Sequence, residues 1–497
     1  MPSLPYDKTN PMSIEQYAKL LIGHTFQDVL DGNVGKCSPS QEKASEYSNP
    51  SRKGGLGNLL EEVYFEYKAN SESKADFEEA GVELKATPYE YNRNGSAKAG
   101  ERLVLSMINY SGEIEPTLEE SHVWQKCKLI LLIYYLRDKS LKSNLQYPID
   151  YVTLFTPSET DKAIIANDYK YIAEKVMSGQ AETLSEADTF YLGACTKGST
   201  AEKSIVKQFY PPHTPAKKRA FCYKNSYMTY VLNDYVMKGV ITYQQEEQYE
   251  SILKDASELE GKTFAAFIVS KINHYTGLTD KELCSKFDRQ YNNNKAQWTD
   301  LAYRMLGIKS NRAEEFRKAN LKVKVIRIEG NGKMRESMSF PPFKYKELIE
   351  EEWEDSTLHN YFEETRFLFV VFKRSGDKYI LKGAQLWNMP LEELNDTVKA
   401  GWDSIVNTIK AGIKFEIVET ANGVVVKNNL PKKADNEIIH VRSHAQKRYF
   451  KFTDGTIIGE GNESDANQLP DGTWMPHYSF WINNDYIEKQ LDKNLLD

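Results

Sequence analysis

Short segments from the first half of this chain recur in its second half, in order and at a nearly constant spacing. Leu21-Ile22-Gly23-His24-Thr25-Phe26 is matched by Leu259-Glu260-Gly261-Lys262-Thr263-Phe264, a step of 238 from Gly23 to Gly261. Ala75-Asp76-Phe77 followed by Ala80 is matched by Glu314-Glu315-Phe316 followed by Ala319, a step of 239 from Asp76 to Glu315. Lys128-Leu129-Ile130-Leu131-Leu132 is matched by Arg366-Phe367-Leu368-Phe369-Val370, a step of 238 from Lys128 to Arg366. Chance matches scatter over many offsets, so three in order at one offset mark an internal duplication. The chain therefore reads as two diverged copies of one domain, residues 1–240 and 250–497, joined through the polar, Gln- and Glu-rich stretch 235–249.

Composition narrows the class. A chain of 497 residues is too long for one compact core. A net charge of -7 argues against a protein that coats nucleic acid without specificity. The local field differs: between residues 197 and 224, Lys197, Lys203, Lys207, Lys217, Lys218, Arg219 and Lys224 face only Glu202. A second basic group gathers Lys432, Lys433, Arg442, Lys447 and Arg448. The mean hydropathy of -0.60 and the lack of a long apolar run exclude a membrane-spanning helix. No basic head precedes an apolar stretch at the N-terminus, so no secretory signal is expected. Five scattered cysteines without a CxxC pair point away from a disulfide framework or structural zinc, and toward a reducing cytoplasm.

The periodicity is that of an α/β protein. Residues 15–30 and 58–67 predict helices, and 81–87 and 103–109 predict strands. The stretch 121–136 has a polar lead-in and then an apolar run, 129–135, that suits a buried central strand, as does its counterpart 366–372. The Gly330/Gly332 and Gly459/Gly461 pairs read as turns. Lys53-Gly54-Gly55-Leu56-Gly57 lacks the lysine and hydroxyl of a phosphate-binding P-loop, leaving a DNA-contact loop or a helix lead-in. His122, alone, reads as a packing or hydrogen-bonding histidine.

Chemistry concentrates between Asp76 and Lys85. Residues two apart in a strand share a face, so Glu83 and Lys85 project together while Leu84 turns to the core. Asp76, at the start of the strand region, brings a second carboxylate beside Glu83. Two hard oxygen ligands with open positions for water suit Mg²⁺. A neighbouring ammonium positions the attacking water and offsets charge on a pentacovalent phosphate. This is the minimum equipment for metal-dependent phosphodiester hydrolysis.

The longer context, KGGLGNLLEE, ADFEEAGVELKATP and EESHVWQKCKLILLIYY, resembles the MutH mismatch-repair endonuclease and its restriction-enzyme relatives, the MutH/Sau group. Residues 191–198 and 218–225 resemble that family's DNA-reading end. The resemblance covers most of residues 15–235, and covers 250–497 as the degenerate second copy that two-domain members possess. It implies two tandem restriction-endonuclease-like domains of PD-(D/E)xK fold, a catalytic one and a DNA-binding effector. It also implies Mg²⁺-dependent double-strand cleavage of DNA at GATC, before the G, leaving 5′ overhangs. Asp76, Glu83 and Lys85 fall on the family's metal ligands and catalytic lysine, with Leu84 counted in the metal site. Glu61 falls on a supporting helix glutamate, with Glu62 as the alternative, and Lys126 on a lysine near the phosphate. The DNA-reading residues implied are Lys197, Gly198, Arg219 and Lys224, then Arg442 and His444 in the second copy. Cys195 stands where the family has an arginine, which Arg442 restores. The implied partners are GATC-containing duplex DNA and a cognate methyltransferase, with a monomer in solution and a dimer or two-site loop on DNA. A nicking repair enzyme and a noncatalytic DNA-binding protein are the competing readings; the duplication disfavours the first and the intact Asp76/Glu83/Lys85 set the second.

Overall fold

The computed structural model describes residues 4–35, 47, 55–67, 74–92, 95–138, 140–197, 205–242, 251–292, 294–310, 313–421 and 423–496. The chain forms two compact units: residues 1–267 with 308–321, and residues 268–307 with 322–497.

The first unit is built on strand Glu83–Tyr91, which runs parallel to Ile130–Leu136 with Glu83 opposite Ile130 and Lys85 opposite Leu132. Ile149–Phe155 extends this sheet on one side and Ala97–Ala99 on the other. Ile130 to Tyr134 are fully buried, as expected of a central strand covered on both faces. A second sheet places Arg219–Tyr223 between Leu103–Met107 and Leu192–Thr196, all antiparallel. Helix Glu159–Met177, capped by the Ser158 hydroxyl on the Asp161 N–H, packs on this sheet. Its buried Asp168 accepts from the backbone N–H groups of Phe190, Tyr191 and Leu192 at 2.9, 2.7 and 3.0 Å, anchoring the strand that leads to Lys197.

The second unit repeats this plan. Leu321–Ile328, Arg366–Ser375 and Lys378–Trp387 form one sheet, and Met338–Phe343, Tyr478–Ile482 and Ile439–Ser443 the other. In both units the last strand of the small sheet lies centrally and runs into a helix, Asn225–Tyr230 or Asn484–Gln490. Arg442 pairs with Ser479 as Cys195 pairs with Ala220, so the ladder places Arg442 and Cys195 at equivalent points. Among the described residues the second unit adds an exposed hairpin, Phe415–Thr420 with Gly423–Asn428, and a small sheet between 450 and 476.

Several elements depart from the sequence reading. The expected helix 15–30 is interrupted: Pro11–Ala18 and a short turn to Leu21 give way to Gly23 at φ +84, and Thr25 caps a new helix, Phe26–Leu30. The helix expected at 58–67 begins at Gly55, widens to a π-type turn over Leu60–Tyr64, and ends before Glu66 at φ +55. Gly55–Leu59 is thus helix, whereas Lys53 and Gly54 lie outside the described residues. The polar lead-in at 121 is a helix, His122–Cys127, because the Ser121 hydroxyl accepts the Trp124 N–H at 3.1 Å. The expected cut at 240/250 also differs from the compact units. Helix Glu314–Lys318 belongs to the first unit: Lys318, 1% exposed, donates to Asp161 at 2.8 Å, and Glu315 accepts from the Ile252 and Leu253 N–H groups at 3.0 and 2.8 Å. Residues 243–249 of the expected junction lie outside the described residues.

Candidate active site

A tight turn assembles the site. Phe77 and Val82 pair across residues 78–81, with Gly81 at φ +65 supplying the left-handed conformation. The turn folds Asp76 back against the start of strand Glu83–Tyr91, where its Oδ2 accepts the Leu84 N–H at 2.9 Å. The residue pattern DFEEAGVEL is therefore a hairpin whose two ends each carry a carboxylate.

Glu83 is 1% exposed, and its Oε1 receives Lys85 Nζ at 2.7 Å and Lys126 Nζ at 3.4 Å. Its Oε2 is buried and, among the described residues, has no hydrogen-bond partner. A buried carboxylate oxygen left bare while its partner oxygen takes both ammonium groups is costly unless something cationic reaches it. Lys126 arrives from the last turn of helix His122–Cys127, whose first residue, His122, lies between Ser106 and Glu115 at 3.3 Å each and is a structural strut.

Glu61 sits in the widened turn of the helix. Burial, then repulsion from Asp76 and Glu83 against the pull of Lys85, pushes its carboxyl up to about 7. Asp76 is likewise raised by burial and by Glu83, against the Leu84 N–H bond and the two lysines. Glu62 instead accepts the Tyr47 hydroxyl at 2.8 Å, so Glu61 is the glutamate that shares the site's field.

Tyr67 escaped the sequence reading. Its hydroxyl is buried with no hydrogen-bond partner among the described residues, and burial together with Asp76, Glu61 and Glu83 drives its pKa far upward. With Asp76 it lines a cavity of about 590 Å³. An aromatic residue six positions after Glu61 carries no sequence signal of such a role.

Among the described residues no group of three or more His, Cys, Asp and Glu side chains is preassembled as a metal cage. The donor set nonetheless suits a hard divalent cation of the Mg²⁺ type, which takes one or two carboxylates and completes its shell with water and phosphate oxygen. The bare Glu83 Oε2 and the mutual repulsion of Asp76, Glu61 and Glu83 are what such an ion would relieve.

The expected DNA-reading residues divide. Lys197 is exposed, as are Lys207, Lys217 and Lys218 on the hairpin Ile205–Lys207 with Pro215–Lys217. Gly198 and Lys203 lie outside the described residues. Arg219 and Lys224 are not on the surface: at 5% and 1% exposure they brace the small sheet, Arg219 donating to the Ala194 carbonyl at 2.6 Å and Lys224 to that of Thr189 at 2.9 Å. Their side chains serve buried carbonyls, so the structure corrects their assignment as DNA contacts. Cys195, 2% exposed, likewise presents nothing to solvent. In the second unit Arg442 is exposed with its guanidinium 3.6 Å over the Trp481 ring, and His444 Nδ1 lies 2.8 Å from the Ser479 hydroxyl.

An α/β core whose mixed sheet turns on one parallel strand pair, with two carboxylates and two lysines at its end, defines a nuclease of the restriction-endonuclease-like class. The family model described as DNA mismatch repair enzyme MutH matches residues 65–168, which include Asp76, Glu83, Lys85 and Lys126. The chain is 26% identical over 185 residues to the DNA mismatch repair protein MutH of Escherichia coli (strain K12), spanning 37% of this chain and 75% of that protein. It is 27% identical over 185 residues to the MutH protein of Shigella boydii serotype 4, with the same coverage. Over 505 residues it is 35% identical to the type II restriction enzyme Sau3AI of Staphylococcus aureus, covering 97% of this chain and 98% of that enzyme. The chain belongs to the family of that restriction enzyme, and is a site-specific deoxyribonuclease. Among the described residues no helix is long and apolar enough to cross a membrane.

Proposed function

We propose that this enzyme cuts both strands of duplex DNA at GATC, before the G, at the Asp76/Glu83/Lys85 centre, with Mg²⁺ as its ion. The observation that carries this reading is the bare, buried Glu83 Oε2 beside Asp76. Asp76, Glu83 and the main chain at Leu84 would hold Mg²⁺, which supplies Lewis acidity and charge neutralisation at the scissile phosphate. Lys85, ion-paired to Glu83, would orient the attacking water and offset charge at phosphorus. Lys126 adds a second cation on the same carboxylate. Glu61, near neutrality in its pKa, can take or return a proton beside them. Lys197 and the exposed lysines 207, 217 and 218 would meet the DNA backbone and groove. The second copy, through Arg442 and His444, would bind a second GATC duplex and stimulate the first centre; a two-site loop or a dimer on DNA would follow, from a monomer in solution. A cytoplasmic location and a partner methyltransferase that protects the host's own sites complete the proposal.

Incubation of plasmid DNA with the purified protein and Mg²⁺ tests this. Discrete fragments ending at GATC are expected; nicked circles would indicate the repair-type reading, and no reaction a binding protein. Asp76→Ala, Glu83→Ala and Lys85→Ala should each lose cleavage while Ca²⁺-supported DNA binding survives. Retention of more than a few per cent of activity in Asp76→Ala would sink the assignment.

A further inference from the structure

In the first unit Arg219 and Lys224 are turned into the small sheet, so the side chains it offers to a partner come from the hairpin Ile205–Lys207 with Pro215–Lys217. The hairpin is tied to Lys197, whose N–H donates to the Lys218 carbonyl at 2.9 Å. Ile205 pairs with Lys217 and Lys207 with Pro215. All four side chains lie on the outward face, with Ala216 buried behind them. The alternation runs on past the strand: Gln208 is 3% exposed and Phe209 is 47% exposed. Ile205, Lys207 and Phe209 thus form one outward edge that is apolar, cationic and apolar in turn.

The backbone holds Phe209 in this exposed position. Its N–H donates to the Tyr110 carbonyl at 2.7 Å. Gln208, turned inward, accepts the Ala181 N–H at 2.9 Å and donates to Glu182 and to the Thr214 carbonyl at 2.7 Å each. These bonds close residues 208–214 into a loop and fix it to residues 181–182. Among the described residues the Phe209 ring meets one other ring, that of Tyr210 at 5.1 Å. A single exposed apolar side chain needs no explanation, but two large ones on a clamped edge, with lysines between and opposite them, mark a contact surface. The partner it fits is anionic and apolar at once. Duplex DNA, on which a deoxyribonuclease acts, has this chemistry: phosphates border the major groove, and the thymine C5-methyl is the apolar group that the base edges present in it.

We propose that Phe209 reads the thymine of GATC by packing on its C5-methyl group, with Lys207 and Lys217 on phosphates beside it and Ile205 keeping water from that contact. The proposal rests on the reading of GATC as the target. An apolar contact releases no counterions, so Phe209 adds affinity without adding salt dependence, whereas each lysine on a phosphate adds to the salt slope. The two kinds of contact are therefore separable by measurement.

The test uses the intact chain in Ca²⁺ and three labelled duplexes, followed by anisotropy over a range of salt. One carries GATC, one GAUC, in which uracil keeps the base pairing and lacks only the methyl group, and one the scrambled site CTAG. Wild type should bind GATC about fourfold more tightly than GAUC, the value of one buried methyl-sized group. Phe209→Ala should bind GATC as weakly as wild type binds GAUC and no longer distinguish the two, with its salt slope and Tm unchanged. Phe209→Leu, which keeps an apolar surface, should keep the preference. Lys207→Gln should keep the preference too, and lower the salt slope by about 0.9. If wild type prefers GATC to CTAG but binds GATC and GAUC alike, or if Phe209→Ala retains the preference for GATC over GAUC, the GATC reading stands and this proposal is overturned. If wild type binds GATC no better than CTAG, both fail.

Discussion

Asp76→Asn should make the metal-free protein more stable while destroying its activity. Asparagine keeps an oxygen for the Leu84 N–H and removes one of three clustered negative charges. Glu83 still neutralises Lys85 and Lys126. The magnitude follows from Glu61, whose carboxyl rises from 4.5 to about 7, with burial the larger cause and Asp76 the next. At about 1.4 kcal/mol per unit the whole displacement is worth roughly 3 kcal/mol. Glu61 is partly exposed, so solvent screening and the burial share leave about 1 kcal/mol for Asp76. That corresponds to a Tm gain of about 2–4 °C for a unit of this size. The sign with pH is fixed: a raised carboxyl stabilises fully below 4.5 and loses that contribution as pH rises through about 7. The gain over wild type should therefore be largest near pH 8 in EDTA and shrink toward pH 4.5. Scanning calorimetry in EDTA at both ends measures it, and Mg²⁺ should raise the wild-type Tm but not that of the variant. A variant no more stable than wild type at pH 8 would refute the account of the site as a repelling carboxylate cluster.

Lys197→Ala should weaken DNA binding and reduce the salt slope by about 0.9, measured by anisotropy in Ca²⁺; an unchanged slope would remove Lys197 from the interface. Arg219→Ala should act on stability, leaving the Ala194 carbonyl unpaired at a cost of about 1–3 kcal/mol, with the DNA salt slope unaltered in the folded fraction. Tyr67→Phe, which removes a buried hydroxyl without a partner, should be neutral or stabilising in EDTA by thermal melt; a large fall in cleavage without loss of stability would show that the hydroxyl acts on the bound substrate.

The hairpin that brings Asp76 to Glu83 and the buried strand that follows were legible because each is local in sequence. Asp76, Gly81 and Glu83 lie within one turn, and the apolar run ending at Tyr135 admits little besides a buried strand. The helix ahead of that strand was not legible, since a single hydrogen bond from Ser121 starts it within a polar lead-in. The assignment of Arg219 and Lys224 failed for a different reason. Arg219–Tyr223 is the central strand of its sheet and is buried throughout, so alternation carried no information about which side chains meet solvent. A count of basic residues registers charge and is blind to the carbonyl that each one serves. Unit boundaries were hidden similarly, because the helix carrying Lys318 is fixed by partners more than sixty residues away, including Asp161 and Leu253.

The second copy departs from the Asp76/Glu83 pair at both positions, and this bears on what a reversion can achieve. Lys322 replaces the carboxylate at the Glu83 position, which removes a ligand and adds a repelling charge. Glu315, at the Asp76 position, is still acidic, yet its oxygens accept from the Ser251 hydroxyl and the Ile252 and Leu253 N–H groups. A buried carboxylate with these bonds holds its own unit together, and withdrawing it to ligate a metal would leave two backbone donors orphaned, each costing about 1–3 kcal/mol. Lys322→Glu therefore restores one ligand of two. In a chain silenced by Asp76→Ala and Glu83→Ala, adding Lys322→Glu should give no cleavage of GATC plasmid at any Mg²⁺ concentration. Fragments released by the triple variant would show that Glu315 is free to ligate after all.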